Sequence, residues 1–202
     1  MAQQKKIPTK EKIMKAAAKL FSERGYDKVT TREIAKAAGI NSASIYYHFT
    51  SKDELLKSLY KFYAEEHRKA APDLDELLRL AETNPPHEVL MRAEFHFNKR
   101  IRKMLDQILV TAAREICGDP ESEGCIKDNI FGGIENILRP LLQRMMELKK
   151  IETFDIDIFL RLVSYYCFSA AALNNSIFRQ SVAEYQSGLA LLFSMVASTG
   201  KP

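Results

Sequence analysis

The chain has 202 residues, 46% of them hydrophobic and 28% charged, with only 8 Gly and 7 Pro. That is enough apolar material for a real core, and too few turn residues for a sandwich or barrel that reverses every ten residues. The formal net charge of +4 conceals an asymmetry: residues 1–71 hold 15 basic and 8 acidic side chains, net +7, and residues 72–202 hold 15 and 18, net −3.

A basic first third suggests a polyanionic partner, although a solvated basic face carries the same signature. The start, MAQQKKIPTKEK, has no apolar h-region and is not expected to be a signal peptide. The longest uncharged stretch, Leu162 to Phe178, holds Asn174, Asn175 and three serines, and reads as a buried helix rather than a membrane span. Cys117, Cys125 and Cys167 are odd in number and form no CxxC. A disulfide framework and a zinc site are therefore disfavoured, and a cytoplasmic location is expected.

In chain order the apolar spacing is helical throughout. Ile13, Ala16, Ala17, Leu20 and Phe21 follow the 3.6 period in a helix from about Thr9 to Arg24, stopped by Gly25. Thr30-Thr31-Arg32-Glu33 is a capping box that opens a two-turn helix ending at Gly39. A third helix starts after Asn41 or Ser42 and runs to about Phe49. Ser51-Lys52-Asp53-Glu54 is a second capping box, opening a helix to about Ala71.

Pro72 and Asn84-Pro85-Pro86 bracket a short helix around Leu74–Ala81. A long apolar pattern then runs from His87 to Ile116, as one helix or two. Asp119-Pro120-Glu121 starts a helix to about Leu148 with Gly132-Gly133 and Pro140 inside it. Phe154–Phe178 is apolar on nearly all sides, and Ser181-Val182-Ala183-Glu184 caps a last helix to about Ala197. The expected fold is all-α, with about nine helices and a possible boundary near Ala71.

The segment 9–49 has the form of a helix-turn-helix. Gly39 takes the turn, Ala35 is small where two helices cross, and Ile34, Ala38, Ile40, Ile45 and Phe49 supply a minimal core. Ser42, Ser44, Tyr46, Tyr47 and His48 then face outward, with groups able to donate to phosphates and base edges. No HExxH, GxSxG, Walker loop or GxGxxG occurs, and the four histidines show no metal spacing. The chain is therefore read as neither an enzyme nor a cofactor or metal protein.

The run from Thr30 to Phe49, TTREIAKAAGINSASIYYHF, followed by Ser51-Lys52-Asp53-Glu54-Leu55, resembles the DNA-binding region of TetR-family transcriptional regulators. The likeness covers about residues 9–60; beyond residue 71 it is one of architecture. Asn41 stands where members often have Ser, and Ala43 where they often have Gly. The resemblance implies a DNA-binding head over residues 1–50, a connecting helix 51–71, and an effector-binding and dimerisation domain over 72–202. It implies phosphate contacts from Tyr46, His48 and Lys52, backbone contacts near Thr31 and Arg32, and base reading by Ser42, Ser44 and Tyr47, with Ala43 beside them.

An effector pocket in such proteins draws on the later helices, with Phe97, Met104, Ile108, Thr111, Tyr165, Tyr166 and Phe168 as candidates. Plain core is the alternative for each. His96 and Asn174 are polar residues that could orient a ligand. The apolar last two helices, with a Leu189, Leu192 and Val196 stripe, point to a homodimer closed by a four-helix bundle. The expected function is a repressor that binds a palindromic operator as a homodimer and is released by a small, largely apolar effector. A DNA-binding protein of this fold governed by a protein partner, and a helical module that no longer binds DNA, are the alternatives.

Overall fold

The computed structural model describes residues 9–173 and 182–197, and these are all-helical apart from turns and short connections. Eleven α-helices and one π-helical turn follow in order: α1 (Thr9–Arg24), α2 (Thr31–Ala38), α3 (Ser42–His48), α4 (Lys52–Ala70), α5 (Leu74–Thr83), α6 (Pro86–Arg92), α7 (Lys99–Glu115), α8 (Pro120–Ile126), the π turn (Lys127–Phe131), α9 (Gly132–Glu147), α10 (Ile156–Leu173) and α11 (Val182–Ala197). Asn174, Asn175 and the Ser181 cap lie outside the described residues.

The division is finer than the apolar spacing alone indicates. The 87–116 pattern breaks between α6 and α7, where Phe95 and Phe97, two residues apart, both lay their rings against His67 at 4.4 and 5.4 Å. Rings at i and i+2 on one side require extended backbone, and the intervening His96 donates its amide to the Ala70 carbonyl at 2.9 Å. The 120–148 pattern is interrupted by the π turn just before Gly132-Gly133. A Cβ at Gly133 would come within 2.7 Å of the His67 ring, so this glycine permits the close approach.

The chain packs as two units: Met1–Glu65 with Lys99–Cys125, and Glu66–Asn98 with Ile126–Pro202. In the first, α1 packs against α2 and α7, and α2 against α3. Ile13, Ala17, Phe21, Ile34, Ile45, Phe49, Leu55, Leu59 and Ile108 are fully buried there. Asp119 caps α8, accepting from the Ser122 amide at 3.0 Å and the Ser122 hydroxyl at 2.5 Å. With its one proton so used, Ser122 accepts from the buried Tyr60 hydroxyl at 2.7 Å, which ties α8 to α4. Burial raises the Tyr60 pKa, so the phenol stays a donor.

In the second unit α9 packs on α5 and α10, and α11 on α6. Leu90, Leu141, Leu142 and Met145 are fully buried, and Leu189, Phe193 and Val196 close the α11 side.

Candidate nucleic-acid interface

The interface begins with how α2 and α3 are held. The Thr30–Glu33 capping box is complete: the Glu33 amide donates to Thr30 Oγ1 at 3.3 Å, and the Glu33 carboxylate accepts from the Thr30 amide at 2.8 Å. The Thr30 amide first, then the Arg24 guanidinium at 2.8 Å, hold the Glu33 carboxyl down at about 2. Thr30→Ala removes the side-chain half of this cap and should cost about 1 kcal/mol of stability, measurable by denaturant unfolding.

Gly39 ends α2 in the left-handed region, φ 67°, and the Ile40 amide closes onto the Ala35 carbonyl at 3.0 Å. Asn41 then caps α3, accepting from the Ala43 amide at 3.0 Å. Ile45 and Phe49, four residues apart, both face inward at 1% exposure. That register turns Tyr46 and Tyr47 outward, at 56% and 88% exposure.

The second capping box forms with a shift. The Glu54 amide donates to Ser51 Oγ at 3.0 Å, while the Glu54 carboxylate reaches one residue further back, to the Thr50 amide and hydroxyl. These two bonds lower the Glu54 pKa.

The residues singled out in the sequence fall as follows. Tyr46 lies with its hydroxyl 3.2 Å from Thr31 Oγ1, so α2 and α3 share one polar edge. Arg32 is exposed, and the neighbouring Glu33 is engaged by Thr30 and Arg24. Ala43 is exposed, and Ser42, Ser44 and His48 are half-buried. His48 meets the Tyr47 ring edge-on at 5.3 Å.

Lys52 is more engaged than the resemblance implies. Its ammonium donates to the carbonyls of Tyr26 and Val29 at 3.1 and 3.2 Å and sits over the Tyr26 ring at 4.0 Å. With two of three donors used on the α1–α2 loop, one remains for a phosphate.

Three residues of this loop's support were missed in the sequence. Tyr26 donates its hydroxyl to Asp53 and its amide to the Glu115 carboxylate at 3.2 Å, so α4 and α7 both grip the loop. Burial first, then Asp53, raises the Tyr26 pKa.

The effector candidates divide between the two units. Met104, Ile108 and Thr111 are buried on α7 in the first, with the Thr111 hydroxyl donating to the Gln107 carbonyl at 2.9 Å. In the second, Phe97 lies by His67, and Phe168 and Tyr165 meet the Phe131 ring at 6.3 and 5.9 Å. Tyr166 donates its hydroxyl to the Glu184 carbonyl at 3.4 Å. Tyr165 is 59% exposed and faces outward, not into a core. His96 is exposed.

The stripe expected at the dimer interface is turned inward. Leu189 and Val196 are 4% and 5% exposed in the chain's own second unit, and Leu192 is half-buried. Among the described residues, the exposed large apolar side chains are Tyr46 and Tyr47 on α3, Ile158, Leu162 and Tyr165 on α10, and Leu191 and Met195 on α11. The α10 and α11 groups recur at three- and four-residue spacing, each on one helix face.

Comparison with known proteins places this geometry. Residues 13–59 match the model of bacterial regulatory proteins of the tetR family. The biofilm operon icaADBC HTH-type negative transcriptional regulator IcaR of Staphylococcus aureus is 31% identical, over 78% of this chain and 82% of the relative. The nucleoid occlusion factor SlmA of Vibrio cholerae is 26% identical, over 81% and 98%. The ketosteroid transcriptional regulator KstR2 of Mycobacterium tuberculosis shares the fold, with a TM-score of 0.66 at 19% identity over 95% of this chain and 96% of that one. The regulator PfmR of Thermus thermophilus does so with 0.64 at 24% identity over 94% and 99%. The chain belongs to the TetR family. It is a DNA-binding transcriptional regulator with an N-terminal helix-turn-helix and a helical remainder.

Proposed function

We propose that this regulator is a cytoplasmic repressor, not an enzyme, that binds a palindromic operator as a homodimer and is released by a small, largely apolar effector. One observation carries the reading: the exposed large apolar side chains among the described residues are confined to α3, α10 and α11. Exposed apolar groups gathered on a few helix faces mark surfaces that other molecules cover. No helix among the described residues is long and apolar enough to cross a membrane, so these faces do not form a lipid-spanning segment.

On this reading residues 1–50 are the DNA head, 51–71 the connecting helix, and 72–202 the effector and dimer region. Thr31, Arg32, Tyr46 and His48 contact phosphates, and Lys52 adds its third proton. Ser42, Ser44 and Tyr47 read base edges, with Ala43 against the DNA backbone. Ile158, Leu162 and Tyr165 with Leu191 and Met195 take the dimer role first given to Leu189, Leu192 and Val196. The half-buried aromatics Phe97, Tyr166 and Phe168 give the second unit its candidate effector contacts. IcaR is a negative regulator by its description, which supports repression.

Base and phosphate contacts should separate by mutation on the upstream intergenic duplex. Tyr47→Ala and Ser42→Ala should relax sequence preference, each losing about 1–3 kcal/mol of discrimination. Tyr46→Phe should weaken operator and mixed-sequence DNA alike. Release by an effector has a reciprocal signature: saturating operator must weaken effector binding by the factor by which effector weakens operator binding. Equal effector affinity with and without operator would mean that the compound is not an inducer, and control by a protein partner would take its place.

A further inference from the structure

We infer that the Asp106 carboxylate, with the Tyr63 phenol and the Cys125 thiol beside it, forms a binding site for a protonated amine carried on an apolar body. The inference rests on the reading of a ligand-responsive regulator above and names the chemical class of the ligand.

The site follows from how α4, α7 and α8 meet within the first unit. The Tyr60 and Ser122 hydroxyls, 2.7 Å apart, fix the register of α4 against α8. Three residues further along each helix stand Tyr63 and Cys125, both buried. Three residues are close to one turn, so the second pair continues the faces that the first pair joins. Asp106 of α7 reaches this second layer: burial first, then the Cys125 and Asp106 charges, pushes the Tyr63 phenol up.

The two layers treat their carboxylates differently. In the first, Asp119 accepts from the Ser122 amide and hydroxyl at 3.0 and 2.5 Å. In the second, Asp106 is half-buried, and among the described residues its carboxylate accepts no hydrogen bond. Arg102, one turn earlier on α7, is the cation whose charge it feels, but that side chain is exposed and forms no ion pair with it. Burial outweighs the arginine and raises the Asp106 pKa. A carboxylate drawn partly out of water without a donor costs free energy, and a ligand that supplies the donor recovers it.

The donor that fits best carries its own charge. An alcohol brings a proton alone, whereas an ammonium brings protons and the counter-charge, and such charge-assisted bonds are about twice as strong as neutral ones. The neighbouring Tyr63 ring favours a cation as well. Leu105 and Leu109, buried on either side of Asp106 along α7, offer apolar surface to a hydrocarbon body. A metal ion is the poorer occupant, since no group of three or more His, Cys, Asp or Glu among the described residues is placed to hold one.

The test is binding of three amines and their alcohol twins to the full chain without DNA: phenethylamine and 2-phenylethanol, cyclohexylmethylamine and cyclohexylmethanol, hexylamine and hexan-1-ol. Titration calorimetry reads affinity and thermal shift confirms it. At least one amine should bind about 10-fold more tightly than its twin. Asp106→Asn keeps the shape and removes the charge, and should weaken that amine about 10- to 100-fold while leaving the alcohol unchanged. Glu123→Gln, which removes an exposed carboxylate of the same unit, should change neither. The amine–alcohol comparison in the wild type stands even if Asp106→Asn does not fold. No amine binding more tightly than its twin overturns the inference, and so does an equal loss in the Asp106 and Glu123 variants, which would mark non-specific attraction. Release of the upstream intergenic duplex is read separately. An amine that binds through Asp106 and leaves the duplex bound upholds this site and counts against release by an effector, whereas failure of every amine leaves that reading standing.

Discussion

Leu191→Asp combined with Met195→Asp should convert the dimer to a folded monomer at micromolar concentration. Both side chains are exposed in the protomer, at 64% and 62%, so a carboxylate at either place is solvated in the monomer and costs its fold little. In a dimer face the same carboxylates would be stripped of water without partners, at a cost of about several kcal/mol each. An operator affinity built on two linked half-site contacts should then fall by about 100-fold or more, because the second contact is no longer intramolecular. Leu189→Asp serves as the contrast: it buries a charge in the protomer's own core and should unfold the chain. Sedimentation with far-UV circular dichroism separates the two outcomes. A double variant that remains dimeric would move the interface off α11.

The second large effect is on acid stability. His67 is 7% exposed, with the Phe95 and Phe97 rings against it and Gly133 pressed close. Burial lowers its pKa from the ordinary 6.5 to about 4. The unfolded chain therefore binds a proton as the pH falls through 6.5, while the folded chain holds the imidazole neutral until about 4. Stability is full above the unfolded value and is lost progressively as the pH falls through that window. Between about pH 7 and pH 5 the loss from this group should be about 2 kcal/mol. Denaturant unfolding at the two pH values measures it, and His67→Leu should flatten the difference by that amount. A wild-type difference no larger than the variant's would contradict the assignment.

How much of this was legible in the sequence depends on the range of the signal. Gly39, the Thr30–Glu33 box and the Asn41 cap are local chemistry, satisfied within a few residues, and each was readable from spacing alone. The inward pair Ile45 and Phe49 followed from the helical period, and so did the outward Tyr46 and Tyr47. The grip on the α1–α2 loop was not readable. Glu115 meets the Tyr26 amide from 89 residues away, and no local pattern marks a carboxylate for that task.

The face that the α11 stripe presents was not readable for a different reason. On a helix apolar on nearly all sides, Leu189 with Val196 and Leu191 with Met195 both satisfy helical spacing. Only packing against α6 and the rest of the second unit decides which pair turns inward. Whether 87–116 is one helix or two stayed open for the same reason: Leu90, Ala93, Phe97 and Ile101 also fit a continuous helix, and the rings of Phe95 and Phe97 against His67 decide it.

Nuclease protection of the upstream intergenic duplex by the purified chain tests most directly whether paired α3 helices read a palindrome. The expected pattern is a protected inverted repeat whose half-site centres lie about 34 Å apart or a multiple of that, one turn of DNA per step, with protection lost in Tyr47→Ala at protein concentrations that protect fully with the wild type. Uniform protection of any duplex, or protection of a single unrepeated site that Tyr47→Ala leaves intact, would contradict it.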